Sequence, residues 1–113
     1  MSEPLTPHQV ESKLRAVVNM MEAKAEEYER LSLFAAEAEH AYRLAKAQSL
    51  VQQDGGTVAE RESRALLQVD TERLEAKVSG AERDGCKERL RSLHSELTAL
   101  VTLSKSVREQ TAA

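Results

Sequence analysis

The sequence of 113 residues holds no tryptophan, one cysteine, two prolines, four glycines and three aromatic residues, and each scarcity excludes something. Tyr28, Phe34 and Tyr42 are the only aromatics, so there is little bulk from which to build a thick globular core. Pro4 and Pro7 are the only prolines, so nothing after Pro7 forbids helix. Cys86 has no second thiol to pair with and no Cys/His metal spacing around it; it reads as a small, half-buried apolar residue. No apolar run approaches the roughly 18 residues a membrane span needs, and the opening MSEPLTPHQVESK lacks a basic segment followed by an apolar one. A soluble protein of the cytoplasm, without membrane contact, is expected. A net charge of −3 argues against a strongly basic, nonspecific nucleic-acid binder, yet leaves room for a local positive strip.

What is present is helical: alanine, leucine, glutamate, lysine, arginine and glutamine dominate. Thr6-Pro7-His8-Gln9 has the form of a helix start, with Thr6 as cap, Pro7 in the first turn and Gln9 able to reach back. From there Val10, Leu14, Val17, Met21, Tyr28, Leu31, Ala35, Ala38, Tyr42 and Ala45 recur at steps of three and four, with Lys24 as the one intruder. A helix over residues 7–52 is predicted. Asp54-Gly55-Gly56 then ends it, because glycine takes the left-handed conformation beyond a helix at no steric cost. Thr57-Val58-Ala59-Glu60 fits a second capping box, giving a turn over residues 53–57 and a second helix over 58–110.

The apolar pattern of that second helix is loose at first, with Leu66, Leu67, Val69, Leu74, Val78 and Ala81, then tight, with Leu90, Leu93, Leu97, Leu100, Leu103 and Val107. The glycines at 80 and 85 predict a kink or a close backbone approach, with a third helix after Gly85 as the alternative. Folding back at Gly55 makes partner numbers add to about 110 in an antiparallel hairpin with a coiled-coil-like seam. Leu97 then falls near Leu14, Leu93 near Val17, Leu90 near Met20 and Met21, Gly80 and Ala81 near Tyr28, and Leu74 opposite Ala35 and Ala38. The expectation is an all-α, single-domain helical hairpin over residues 1–113, with Leu14, Val17, Met21, Tyr28, Leu31, Leu90, Leu93, Leu97 and Leu100 in its seam. The remaining apolar residues exceed what one partner helix covers, so assembly into a homo-oligomeric bundle is expected.

Few residues point to chemistry. Glu37-Ala38-Glu39-His40 has the Glu-x-x-His form used in di-metal bundles, but the heptad that buries Ala35 and Ala38 turns Glu37 and His40 to solvent. His8, His40 and His94 occupy exposed positions without a nucleophile tied to them, and Gly55-Gly56 follows no strand and lacks the Lys-Ser/Thr of a phosphate loop. No enzyme activity, metal or cofactor is expected. One electrostatic feature is less ordinary: Lys87, Arg91, His94, Thr98, Val101, Lys105 and Arg108 form a row without an acid on one helix face. Such a strip fits a phosphate backbone, with Lys87, Arg91, Lys105 and Arg108 as the candidate contacts.

The segments Ala41-Tyr42-Arg43-Leu44-Ala45-Lys46-Ala47, Gly56-Thr57-Val58-Ala59-Glu60-Arg61-Glu62 and Leu90-Arg91-Ser92-Leu93, continuing through Leu97, Leu100 and Lys105-Ser106-Val107-Arg108, resemble small helical proteins of bacteriophages and prophages. Some of these are similar to the UvsY-type recombination mediators. The resemblance covers roughly residues 28–110. It implies an oligomeric, non-catalytic accessory of phage DNA metabolism in the host cytoplasm, with single-stranded DNA or a recombinase as partner. The alternative is a structural or adaptor protein that binds a host or phage protein through its helical surface, with no part for DNA.

Overall fold

The computed structural model describes residues 5–112, and their side chains through residue 110. It is all-α: α1 spans Pro7–Gln52, α2 Val58–Gln68 and α3 Asp70–Ala112.

The helix ends follow their local chemistry. Thr6 N donates to Gln9 Oε1 at 2.9 Å and Gln9 N to Thr6 Oγ1 at 3.2 Å, a reciprocal capping box that satisfies two backbone donors left over at a helix start. The reversal between α1 and α2 rests on Gly55 and Gly56, with φ of 75° and 82°, a region in which a Cβ is strained. Arg64 closes the loop from α2 by donating from Nη2 to Gly55 O at 2.6 Å. Thr57 caps α2 by accepting from Glu60 N at 3.2 Å.

The second half of the chain is interrupted at Val69, not in the region of the two later glycines. Val69 has φ −109° and ψ 22°, while Val69 N still donates to Ala65 O and Arg73 N to Val69 O, so the break is one residue wide. The inward positions supply a reason. Arg61, Ala65 and Val69 face inward at two successive steps of four, whereas Val69, Glu72, Ala76 and Ser79 resume the alternation of three and four. A doubled four-residue step leaves the seam out of phase with the helix, and a local change of winding restores it. Asp70 then opens α3, its Oδ1 accepting from Arg73 Nε at 3.2 Å. That hydrogen bond, and the carboxylate charge behind it, raise the Arg73 pKa above its ordinary value. The alternative of a third helix after Gly85 is therefore corrected: α3 runs through Gly80 and Gly85. No close approach explains Gly80, where a Cβ would meet only Arg83 Nη2 at 3.8 Å, and Tyr28 is not packed against it.

The chain divides into two compact units, Met1–Glu27 with Cys86–Ala113, and Tyr28–Gly85. In the first unit α1 and α3 run antiparallel, as shown by Cys86 Sγ donating to Lys24 O at 3.5 Å while Val10 and Leu14 share a groove with Ser104 and Val107. Val10, Val17, Cys86 and Leu93 are buried there, and Leu14, Met21, Leu90, Leu97 and Leu100 half-buried. Leu14 borders a groove with Ser104 and Val107, and Met20 one with Ser92 and Leu93.

In the second unit the contacts between α1 and α2 set the register. Ser49 Oγ donates to Gln68 Oε1 and lies 3.5 Å from Ala65 O, and Gln53 Nε2 donates to Gln68 Oε1 at 3.0 Å, so the reversal centres near Thr57. The buried residues here are small: Ala35, Ser49, Ala65, Ala76 and Ser79, with Val69 the largest. Tyr28, Leu31, Ala38, Tyr42 and Ala45 are half-buried. Leu74 does not pack opposite Ala35 and Ala38; it is 59% exposed.

Two glycine substitutions have opposite expected outcomes. Gly80→Ala stabilises the protein by up to about 1 kcal/mol, because it removes unfolded-state entropy and adds a Cβ in ordinary contact distance. Gly55→Ala destabilises it by about 1–2 kcal/mol, because the left-handed backbone must carry a Cβ even though the space around it is open. Urea unfolding followed by helical circular dichroism measures both.

Candidate interaction surfaces

The side chains that carry chemistry do not converge. Glu37 and His40 are exposed on α1, His8 and His94 are exposed on α1 and α3, and no group of three or more His, Cys, Asp or Glu comes together among the described residues. Cys86 is wholly buried, more so than a half-buried seam position, with its thiol directed to the Lys24 carbonyl. Among the described residues no helix is long and apolar enough to cross a membrane.

The basic row lies on one flank of α3, where Lys87, Arg91, His94, Thr98, Val101, Lys105 and Arg108 are all exposed. Its charges are not presented alike. Arg91 Nη1 is 3.0 Å from Glu88 Oε1, and Arg108 lines a groove that also takes in Glu11. Thr98 Oγ1 donates to His94 O at 3.0 Å, so that hydroxyl is turned back onto its own helix. Because α1 runs antiparallel here, a heptad forward from Glu11 and a heptad back from Arg108 bring Val18 beside Val101. The same flank therefore receives Glu11, Arg15, Val18 and Glu22 from α1, with Arg15 Nη2 3.1 Å from Glu11 Oε1. The row stays basic on α3, while α1 brings two carboxylates beside it.

The Tyr28–Gly85 unit has the more unusual surface. Apart from Val69 its fully buried residues are alanines and serines, while Leu33, Phe34, Leu44, Val51, Leu66, Leu67, Leu74 and Val78 are exposed, Leu67 at 78% and Val51 at 86%. Leu67, Leu74 and Val78 stand on the outer side of α2 and α3, away from Val69, Ala76 and Ser79. A wide groove is lined by Leu66, Leu67, Ser63, Asp70 and Arg73, and another by Ala47, Gln48, Val51 and Gln52. The loose apolar pattern of residues 66–81 is thus an outer face at every position but Val69. Stepping back from Leu90 by four and three lands on Cys86, Arg83, Ser79, Ala76, Glu72 and Val69, a series that separates the small inward residues from the large outward ones.

Compared with known proteins, the chain matches no family model, no curated protein and no solved structure.

The Arg91–Glu88 pair is about two-thirds exposed on both sides. Arg91→Ala is expected to change stability by less than about 0.5 kcal/mol. Thermal unfolding checks this, and with it the fitness of position 91 for tests of binding in a folded protein.

Proposed function

We propose that the protein is a non-enzymatic interaction module, a structural or adaptor protein that joins other protein chains through the outer apolar face of its Tyr28–Gly85 unit. The observation that carries this reading is where apolar bulk is left exposed: apart from Val69 the fully buried residues of this unit are alanines and serines, while leucines, valines and a phenylalanine stand at the surface. Covering a leucine or valine contributes about 1.5–3 kcal/mol when complete, so a helix face that leaves several of them exposed favours contact with another apolar surface. Scattered exposed leucines need no partner, but Leu67, Leu74 and Val78 recur on one helical face.

The test is recovery of the tagged chain from the cells in which it is made, with the double substitution Leu67→Glu and Leu74→Glu as comparison. A stoichiometric protein partner held by the native chain and lost from the variant, at unchanged helicity, is the expected result. Equal recovery by both chains sinks the reading.

A second reading has its own observation: Lys87, Arg91, Lys105 and Arg108 share one exposed flank of α3. Together with the resemblance to recombination mediators it supports contact with single-stranded DNA, or with a recombinase bound to it, in a phage accessory role. About four phosphate contacts give a log–log salt slope near −3 for single strands. Fluorescence anisotropy with a labelled oligothymidine measures that slope, and Arg91→Glu with Lys105→Glu is expected to abolish binding. No binding at about 20 mM salt removes DNA from the function.

A further inference from the structure

The exposed side of α1 in the Tyr28–Gly85 unit carries a second row at steps of three and four: Phe34, Glu37, Ala41, Leu44, Gln48 and Val51, every one of them exposed. It is distinct from the inward row of Ala35, Ala38, Tyr42, Ala45 and Ser49 on the same helix, of which Ala35 and Ser49 are buried and the others half-buried. The order of residues along it is self-complementary when reversed. Laid antiparallel on itself, the row sets Phe34 against Val51, Glu37 against Gln48 and Ala41 against Leu44, and by symmetry each pair occurs twice. Apolar side chains meet apolar ones, a large residue meets a small one at the centre, and a carboxylate meets an amide that can donate to it. A parallel, in-register pairing would instead set Glu37 against Glu37, a like-charge contact.

We propose that a second copy of this chain docks on this row, α1 against α1, antiparallel, about a twofold axis between Ala41 and Leu44. The proposal rests on reading this unit as an assembly surface and names one of its occupants. The row is about 25 Å long and one helix wide, so the area it hides falls short of the roughly 800 Å² per partner of a standard interface. The dimer is therefore weak and concentration-dependent, dissociating in the micromolar range or above.

Sedimentation equilibrium of the full chain over a wide concentration range tests this, together with two substitutions at one exposed position. Gln48→Lys places a cation against Glu37 of the second copy at both symmetric sites and is expected to tighten the dimer about tenfold. Gln48→Glu sets carboxylate against carboxylate and is expected to weaken it by a similar factor. Position 48 has Leu44 and Gln52 as its neighbours at four residues, so neither change creates an ion pair within its own helix at that spacing. Leu44→Glu removes the central contact and leaves a monomer, with circular dichroism to confirm the helices. A native chain that stays monomeric at every concentration overturns the self-pairing, as does an equal effect of the two Gln48 substitutions. If such a monomer still holds a different protein through Leu67 and Leu74, the self-pairing falls and the interaction-module reading stands.

Discussion

Two helices stay in contact over many turns only where inward side chains recur at alternating steps of three and four, and this spacing governs both long helices. On α1 it runs without interruption over residues 10–49, and on α3 over residues 69–107. It decides which alanines and serines are inside, and it confines the winding change to Val69. Even Lys24 keeps its inward position, half-buried beside the Cys86 thiol and joined to Glu27 by an ion pair of 2.7 Å. A break in spacing therefore has more structural consequence than a break in hydrophobicity.

Within that spacing the two units are packed with different materials. The unit formed by Met1–Glu27 and Cys86–Ala113 buries Val10, Val17 and Leu93, whereas Tyr28–Gly85 buries Val69 and otherwise alanines and serines. Small residues let backbones approach closely but remove little apolar area from water, so the seam of the second unit contributes less hydrophobic stabilisation per layer. The hydrogen bonds among Ser49, Gln53 and Gln68 tie the end of that seam together, and a polar pair of this sort fixes register more than it adds stability. The apolar area missing from the seam is on the outside of the same helices, where intermolecular contact is the only way to remove it from water.

The legible parts of the sequence were those where local chemistry acts alone. Thr6 with Gln9, the left-handed Gly55 and Gly56, and Thr57 accepting from Glu60 N each depend on a few adjacent residues, and the helix limits at Pro7, Gln52 and Val58 follow from them. Register was less legible, because it depends on where the first cross-chain pair forms. Ser49 meeting Ala65 and Gln68 moves the reversal past the glycines by about two residues. The region of residues 66–81 misled because hydrophobicity was given more weight than phase: Leu74 and Val78 look like core, yet Ala76 and Ser79 hold the heptad positions. Gly80 misled for a related reason, since a glycine in a helix draws attention to packing, and nothing packs there. The interaction surfaces are legible only after phase is known, because a residue's face has no meaning until the seam is placed.

Once the seam is placed, the remaining faces of α1 sort by chemistry. On one flank stand Glu11, Arg15, Glu22, Glu39, Arg43 and Lys46, where Arg15 pairs with Glu11 and Arg43 Nε lies 3.1 Å from Glu39 Oε1. On the other stand Ala16, Met20 and Ala23, then Phe34, Ala41, Leu44 and Val51, with Lys13, Glu27, Arg30 and Glu37 interspersed. Exposed ion pairs at this spacing add only tenths of a kcal/mol to a helix, so the charged flank is not there mainly for stability. Its effect is on association: a flank dense in hydrated charges resists burial, and the sparsely charged flank is the one from which water is easily removed. This difference in charge density between the two flanks of α1 thus biases how another helix can approach before any partner is specified.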